Sequence, residues 1–178
     1  YADGTNYGRL GVSAPLGTSG LRVGVNGSAM EYRVLNNTFN SLFANGYATT
    51  GGVDATYPII RTRPMNLVGV FYWNYNQFRN WNRGSAVVEN SYDTNVTQAG
   101  LSGNLLDSFV GGGLNTASLI GSLGDVGKDA WANGGQFTGV AGSFAKLRYG
   151  YNRIQTITDG LTAYFSVSGQ VASKNMDS

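Results

Sequence analysis

The chain has 178 residues, enough for one ordinary domain, and carries a formal net charge of +2. Only 12% of its residues are charged, about half the usual share, and glycine occurs 27 times. Cysteine and histidine are both absent, which excludes a disulfide scaffold, a Cys-based metal site and any His-dependent triad or acid–base chemistry, while the small charge without a basic run argues against a nucleic-acid partner.

No stretch approaches about 18 consecutive apolar residues, so no transmembrane helix is expected. The opening Tyr1-Ala2-Asp3-Gly4 lacks the basic and apolar regions of a signal peptide, and the chain is expected to be mature, truncated or both. A period of two runs almost throughout, and strand side chains alternate sides at that period. Leu10, Val12, Ala14 and Leu16 alternate with Arg9, Gly11 and Ser13; Leu21, Val23 and Val25 alternate with Arg22, Gly24 and Asn26. After Gly27 the apolar phase moves to Met30, Tyr32 and Val34, which predicts a β-bulge. Tyr47, Val53, Ala55, Tyr57 and Ile59 oppose Thr50, Asp54 and Thr56. Leu67, Phe71, Trp73 and Tyr75 form a further face, blurred by Val68, Val70 and Tyr72. Ala99, Leu101 and Leu105 oppose Gln98, Ser102 and Asn104, and Ala117, Leu119 and Leu123 oppose Thr116, Ser118 and Ser122. Phe137, Ala141, Ala145, Leu147, Tyr149 and Tyr151 oppose Thr138, Lys146, Arg148 and Asn152. The last segment is the clearest, with Leu161, Ala163, Phe165, Val167, Gly169 and Val171 against Thr162, Tyr164, Ser166, Ser168 and Gln170.

The pattern predicts about eight strands, at 7–16, 20–35, 46–61, 66–80, 92–109, 113–126, 135–157 and 160–174. Many exceed the ~5–6 residues of a soluble strand and match the ~9–11 of a tilted membrane strand. Connections at 16–20, 61–64, 110–113 and 158–160 are tight, whereas 36–45, 81–91 and 127–134 are longer and polar, the outer-membrane alternation of short periplasmic turns and long outer loops. A soluble sandwich would show Lys and Glu on its outer faces; here the polar faces are Thr, Ser, Asn, Gln and Gly with scattered charge. The expected fold is therefore all-β, an antiparallel transmembrane β-barrel or a fragment of one, with Tyr32, Tyr57, Trp81, Tyr92 and Tyr151 as an interfacial girdle.

Arg9, Arg22, Asp54, Lys146 and Arg148 fall on the polar phase and are the expected lumen-facing charges of the wall. They fit a channel surface touching a passing chain, and equally fit charge tolerated only on the watery side, since Arg or Lys facing lipid at mid-membrane costs roughly 2–4 kcal/mol. Asp107 and Asp125 read as turn chemistry rather than a cation site. Asp93 and Glu89 read as a solvated loop surface, and Gly111-Gly112-Gly113 lacks the Lys-Ser/Thr and helix of a phosphate loop. No catalytic, cofactor or metal residue is expected.

Four phrases carry a resemblance: NYGRLGVSAPLGTSGLRVGVNGSAMEYRV at 6–34, ATYPIIRTRPMNL at 55–67, GLSGNLLDSF followed by GGGLNTASLIGSLGDVG across 100–127, and the closing GLTAYFSVSGQVASKNMDS. In this order they resemble the barrel of the hemolysin activation/secretion family, the outer-membrane transporters of two-partner secretion. The resemblance implies a sixteen-stranded barrel behind two periplasmic POTRA domains, with these eight strands as about the fourth to the eleventh. It implies location in a Gram-negative outer membrane, in contact with its lipid. It also implies, as partner, one large exoprotein of adhesin or hemolysin type, bound by its N-terminal secretion domain and exported without ATP. The family's long loop with its Val-Arg-Gly-Tyr tip would begin beyond Ser178, so no secretion residue carries over. On this reading residues 1–178 do not close into a barrel by themselves. The competing reading is a complete eight-stranded structural or adhesive barrel; an enzyme is not expected.

Overall fold

The computed structural model describes residues 4–33, 44–82, 87–127 and 142–173. They form eight strands: β1 (Thr5–Leu16), β2 (Leu21–Arg33), β3 (Ala44–Arg61), β4 (Met65–Asn82), β5 (Val87–Asp107), β6 (Gly113–Val126), β7 (Gly142–Thr158) and β8 (Leu161–Ala172). All pair antiparallel in one sheet whose spatial order is the chain order. Apart from a single 3-10 turn at Phe109–Gly111, the described residues contain no helix. Alternation, β-branched and aromatic residues set the strands, and local chemistry sets the turns. Gly17 and Gly20 take positive φ (72° and 86°) between β1 and β2. Between β3 and β4 the Thr62 amide donates to the Met65 carbonyl (2.8 Å), and the Met65 amide donates to the Thr62 hydroxyl (3.1 Å).

Several expectations are corrected. The β1–β2 and β2–β3 registers run unbroken past Gly27, so no bulge lies there. Met30 and Tyr32 are apolar residues standing on the polar face, not a change of phase. The register instead shifts at Pro58/Ile60, Asn80/Trp81 and Thr156/Thr158. β5 begins at Val87, so much of the loop expected at 81–91 is strand, and β5 ends at Asp107 rather than at 109. Polar residues such as Asn90, Ser91 and Asp93 pair as well as apolar ones once their backbone groups meet β4. Of the loop expected at 36–45, residues 44 and 45 belong to β3, while 36–43, most of 127–134 and the start of the strand expected at 135–157 lie outside the described residues.

The register carries a systematic stagger. One row crosses all eight strands through Ala14, Val23, Ala55, Phe71, Ala99, Gly121, Leu147 and Val171. From this row the turn-side end is 2 residues away on β1, 6 on β3, 8 on β5 and 10 on β8. With about 3.4 Å per residue and about 4.8 Å between strands, that drift tilts the strands by about 40° relative to a level rim of turns. Among the described residues the sheet is open: β1 pairs only with β2, and β8 only with β7. It is also a single layer, and among the described residues no apolar side chain is buried.

Candidate functional site

Because cross-strand partners share a face, the register sorts every side chain to one of two sides. One side is an apolar belt. It contains Leu10, Val12 and Leu16 of β1, Val25 of β2, Val53 and Tyr57 of β3, Phe71, Trp73 and Tyr75 of β4, and continues through Leu101, Leu119, Leu123, Leu147, Tyr149, Phe165, Val167 and Val171. These residues are largely exposed, as in Leu10 at 75% and Leu123 at 67%. The same side turns polar beyond the belt: Gln77, Arg79, Asp93, Asn95 and Asp125 at the loop end, and Asp107, Asn115, Arg153 and Gln155 at the turn end. Aromatics at the loop border tie into those polar groups, with Trp73 Nε1 donating to Asn95 (2.7 Å) and the Tyr75 hydroxyl to Asp93 (2.6 Å). Tyr57 and Tyr151 of the expected girdle stand on this side, but Tyr32 and Tyr92 stand on the other, and the side chain of Trp81 lies outside the described residues.

The opposite side is polar and bonded to itself. The Thr50 hydroxyl donates to Asn76 and the Asn76 amide to Thr94, each at 2.9 Å, making a ladder across β3, β4 and β5. Gln98 donates to Ser122 (3.1 Å), Asn26 to Asp54 (3.4 Å), and the Tyr32 hydroxyl reaches over Gly46 to Asn80 (2.9 Å). This is also the more shielded side: Ser122, at 3% exposure, is its best covered side chain. The consecutive glycines of β3 measure the difference. A Cβ on Gly51, facing the belt, would meet nothing within 4 Å, whereas one on Gly52 would stand 2.8 Å from the Trp73 carbonyl oxygen. Side chains converge on the inside of a bend, so the sheet curves toward its polar side.

Arg9, Arg22, Asp54, Lys146 and Arg148 all stand on this polar side. Arg22 and Arg148 share one cross-sheet row, Asp54 and Lys146 the next, and Arg9 lies apart nearer the loop end. Asp54 is held by Asn26, and Arg22 Nη2 donates to the Ser13 hydroxyl (3.0 Å). The five line a wall without converging on a pocket. Among the described residues no group of three His, Cys, Asp or Glu could hold a metal ion.

The tightest polar cluster is separate from these five charges. It sits on the belt side past Leu105, at the turn-side rim. Arg153 of β7 reaches across β6 to Asp107 of β5 (2.6 Å) and also donates to Asn115 (2.6 Å) and Gln155 (2.9 Å). The reach depends on Gly113, since a Cβ there would lie 2.7 Å from the guanidinium. The Arg153 guanidinium, then the Asn115 amide, hold the Asp107 carboxyl well below the usual carboxylate range. Asp107 also accepts the Phe109 amide (3.0 Å), the turn chemistry expected of it; Asp125 instead accepts the Ser143 hydroxyl across β6 and β7 (3.0 Å). The 3-10 turn holds Val110 at φ 42°, unusual for a β-branched residue, with the Gln155 amide 2.8 and 2.6 Å from the Phe109 and Val110 carbonyls. The signal for this cluster was parity: Arg153 shares its phase with Tyr149 and Tyr151, so it is a charge on an apolar face that calls for a partner.

No family model, curated protein or solved structure matches this chain.

Proposed function

We propose that this chain is part of the wall of a transmembrane β-barrel in a bacterial outer membrane, and that the barrel exports one large exoprotein to the cell surface by two-partner secretion. The observation that supports the barrel is the inverted partition of the sheet. Its apolar face is exposed over all eight strands, while its polar face is bent inward and bonded to itself. In water, apolar surface is stabilised by about 25 cal/mol for each Å² covered, and a soluble sheet covers it with a second layer. Here lipid does that work and the lumen stays wet. The tilt of about 40° falls in the roughly 35–45° range of membrane barrels.

The open edges favour a larger barrel over a complete eight-stranded one. A bilayer core offers no water to unpaired N–H and C=O groups, each costing several kcal/mol. The outer edges of β1 and β8 therefore need further strands beside them. The export role rests on the four sequence phrases and their order, with the exoprotein as partner.

These 178 residues contain no cysteine, so a single cysteine introduced into them is the one thiol of these strands. In the full-length protein in cells, cysteines at Ala163, Phe165 and Val167 should react only with lipid-soluble reagents, and those at Thr162, Ser166 and Ser168 with aqueous ones. Equal reactivity of both sets would overturn the barrel reading. Deleting the gene should in addition strand a large exoprotein in the periplasm; unchanged export of every such protein would leave a barrel with another task.

A further inference from the structure

Charge is divided between the two faces. Among the described strand residues the polar face carries Arg9, Arg22, Lys146 and Arg148, joined by Arg61 at the turn-side mouth, against the single carboxylate Asp54. The other strand carboxylates with described side chains, Glu31, Asp93, Asp107 and Asp125, all stand on the belt side, toward its polar ends. Asp93, Asp107 and Asp125 are there occupied by Tyr75, Arg153 and Ser143. None of the polar-face cations lies in an ion pair with a described carboxylate.

Depth makes this asymmetry consequential. Arg22 lies between Leu21 and Val23, Lys146 between Ala145 and Leu147, and Arg148 between Leu147 and Tyr149. Those flanking residues belong to the apolar belt, so the three cations back onto it from the opposite side of the wall, Arg22 close to the turn-side end of β2 and Lys146 and Arg148 far from the turn-side end of β7. A lumen enclosed by lipid-covered walls has a low-dielectric boundary, which concentrates the field of fixed charges in the water between them. Unpaired Arg and Lys in such a pore draw anions in and hold cations out.

We infer that the lumen is anion-selective, passing small anions such as chloride in preference to small cations, with Arg22, Lys146 and Arg148 as the selecting groups and Asp54 opposing them. This rests on the barrel reading above and adds a property that the reading does not contain. The test is ion conductance of the full-length protein in planar bilayers across a KCl gradient. The expected reversal potential has the sign set by chloride. The combined variant Arg22→Gln, Lys146→Gln and Arg148→Gln should lower the chloride-over-potassium permeability ratio several-fold, to near unity. Changing the same three to Glu should invert the sign. Should the triple variants fail to insert, Asp54→Asn serves alone, and it should raise the anion preference. Asp125→Asn on the belt side should leave the ratio unchanged. A cation-selective wild type, or a ratio indifferent both to the triple change and to Asp54→Asn, would overturn the inference while leaving the barrel intact. Absence of any conductance would remove the open lumen and the selectivity with it; the labelling pattern would then decide separately whether the wall is membrane-embedded.

Discussion

Two neighbouring rows of the sheet, one residue apart along every strand, have opposite chemistry. The row through Ala14, Val23, Ala55, Phe71, Ala99, Gly121, Leu147 and Val171 contains no polar side-chain atom. The row beside it, through Ser13, Gly24, Asp54, Tyr72, Gln98, Ser122, Lys146 and Ala172, is built from hydrogen-bonding groups and the glycine that makes room for them, with Ala172 at its end as the one apolar member. Alternation alone produces such a pair in any amphipathic sheet. What differs here is which row is covered: the polar one is crowded and the apolar one bare. A water-soluble sheet reverses that, because burial of apolar surface is what drives its folding.

Charge placed in the apolar row breaks the contrast most severely. Leu147→Arg should cost roughly 2–4 kcal/mol in unfolding from lipid vesicles, while Ser168→Arg on the other side should cost about 0.5 kcal/mol or less. Equal costs would mean that the two sides meet the same solvent. A subtler contrast comes from the adjacent glycines. Gly52→Ala presses a methyl against the Trp73 carbonyl, backbone that cannot step aside, and should destabilise by about 1–3 kcal/mol. Gly51→Ala enters open space and should change stability by about 0.5 kcal/mol or less. If both behaved alike in the same vesicle assay, the inward bend would be wrong.

The smallest expected effect is local, at the rim where the apolar side turns polar. Arg153→Gln should speed hydrogen exchange of the Phe109–Gly112 amides without moving exchange in the belt. The Asp107 carboxyl is held low by Arg153, so the tie is complete above the value of a free aspartate, about 3.9. It is lost as the pH falls below that through the depressed folded value. Exchange at the turn should therefore accelerate only in strong acid, and the acid step should vanish in Asp107→Asn. An acid step that survives that change would assign it to another group.

The sequence revealed the eight strands because each strand's two faces differ in polarity; the segment from Leu161 to Ala172 could be read residue by residue. It misled where polarity and pairing part company. Met30 and Tyr32 imitate a bulge because they are apolar residues on the polar side, with Tyr32 anchored through its hydroxyl to Asn80. The true irregularities, at Ile59 and Ile157 among others, leave no compositional trace, since an isoleucine reads as strand whether or not it is paired. The start of β5 was hidden for the converse reason, as Asn90, Ser91 and Asp93 look like loop but pair past the belt. The five wall charges share the polar phase in the sequence, and the register puts them on one face of the sheet. The tie from Arg153 to Asp107 spans two strand spacings, and distance across a sheet is not written in one dimension.

The chain-order topology has a kinetic consequence. Among the described strands each pairs only with its predecessor and successor, so no pairing within this sheet has to wait for a remote segment, and each ring-closure entropy is that of one hairpin. The sheet can grow like a row of planks, each new strand templated by the last, with one adhesive margin advancing at every step. As Tyr32 does toward Asn80 at the loop end, Arg153 at the turn-side rim grips a strand that is not its neighbour in that row. It can close only after β5, β6 and β7 have docked in correct register, and so it works as a latch that proofreads three planks at once.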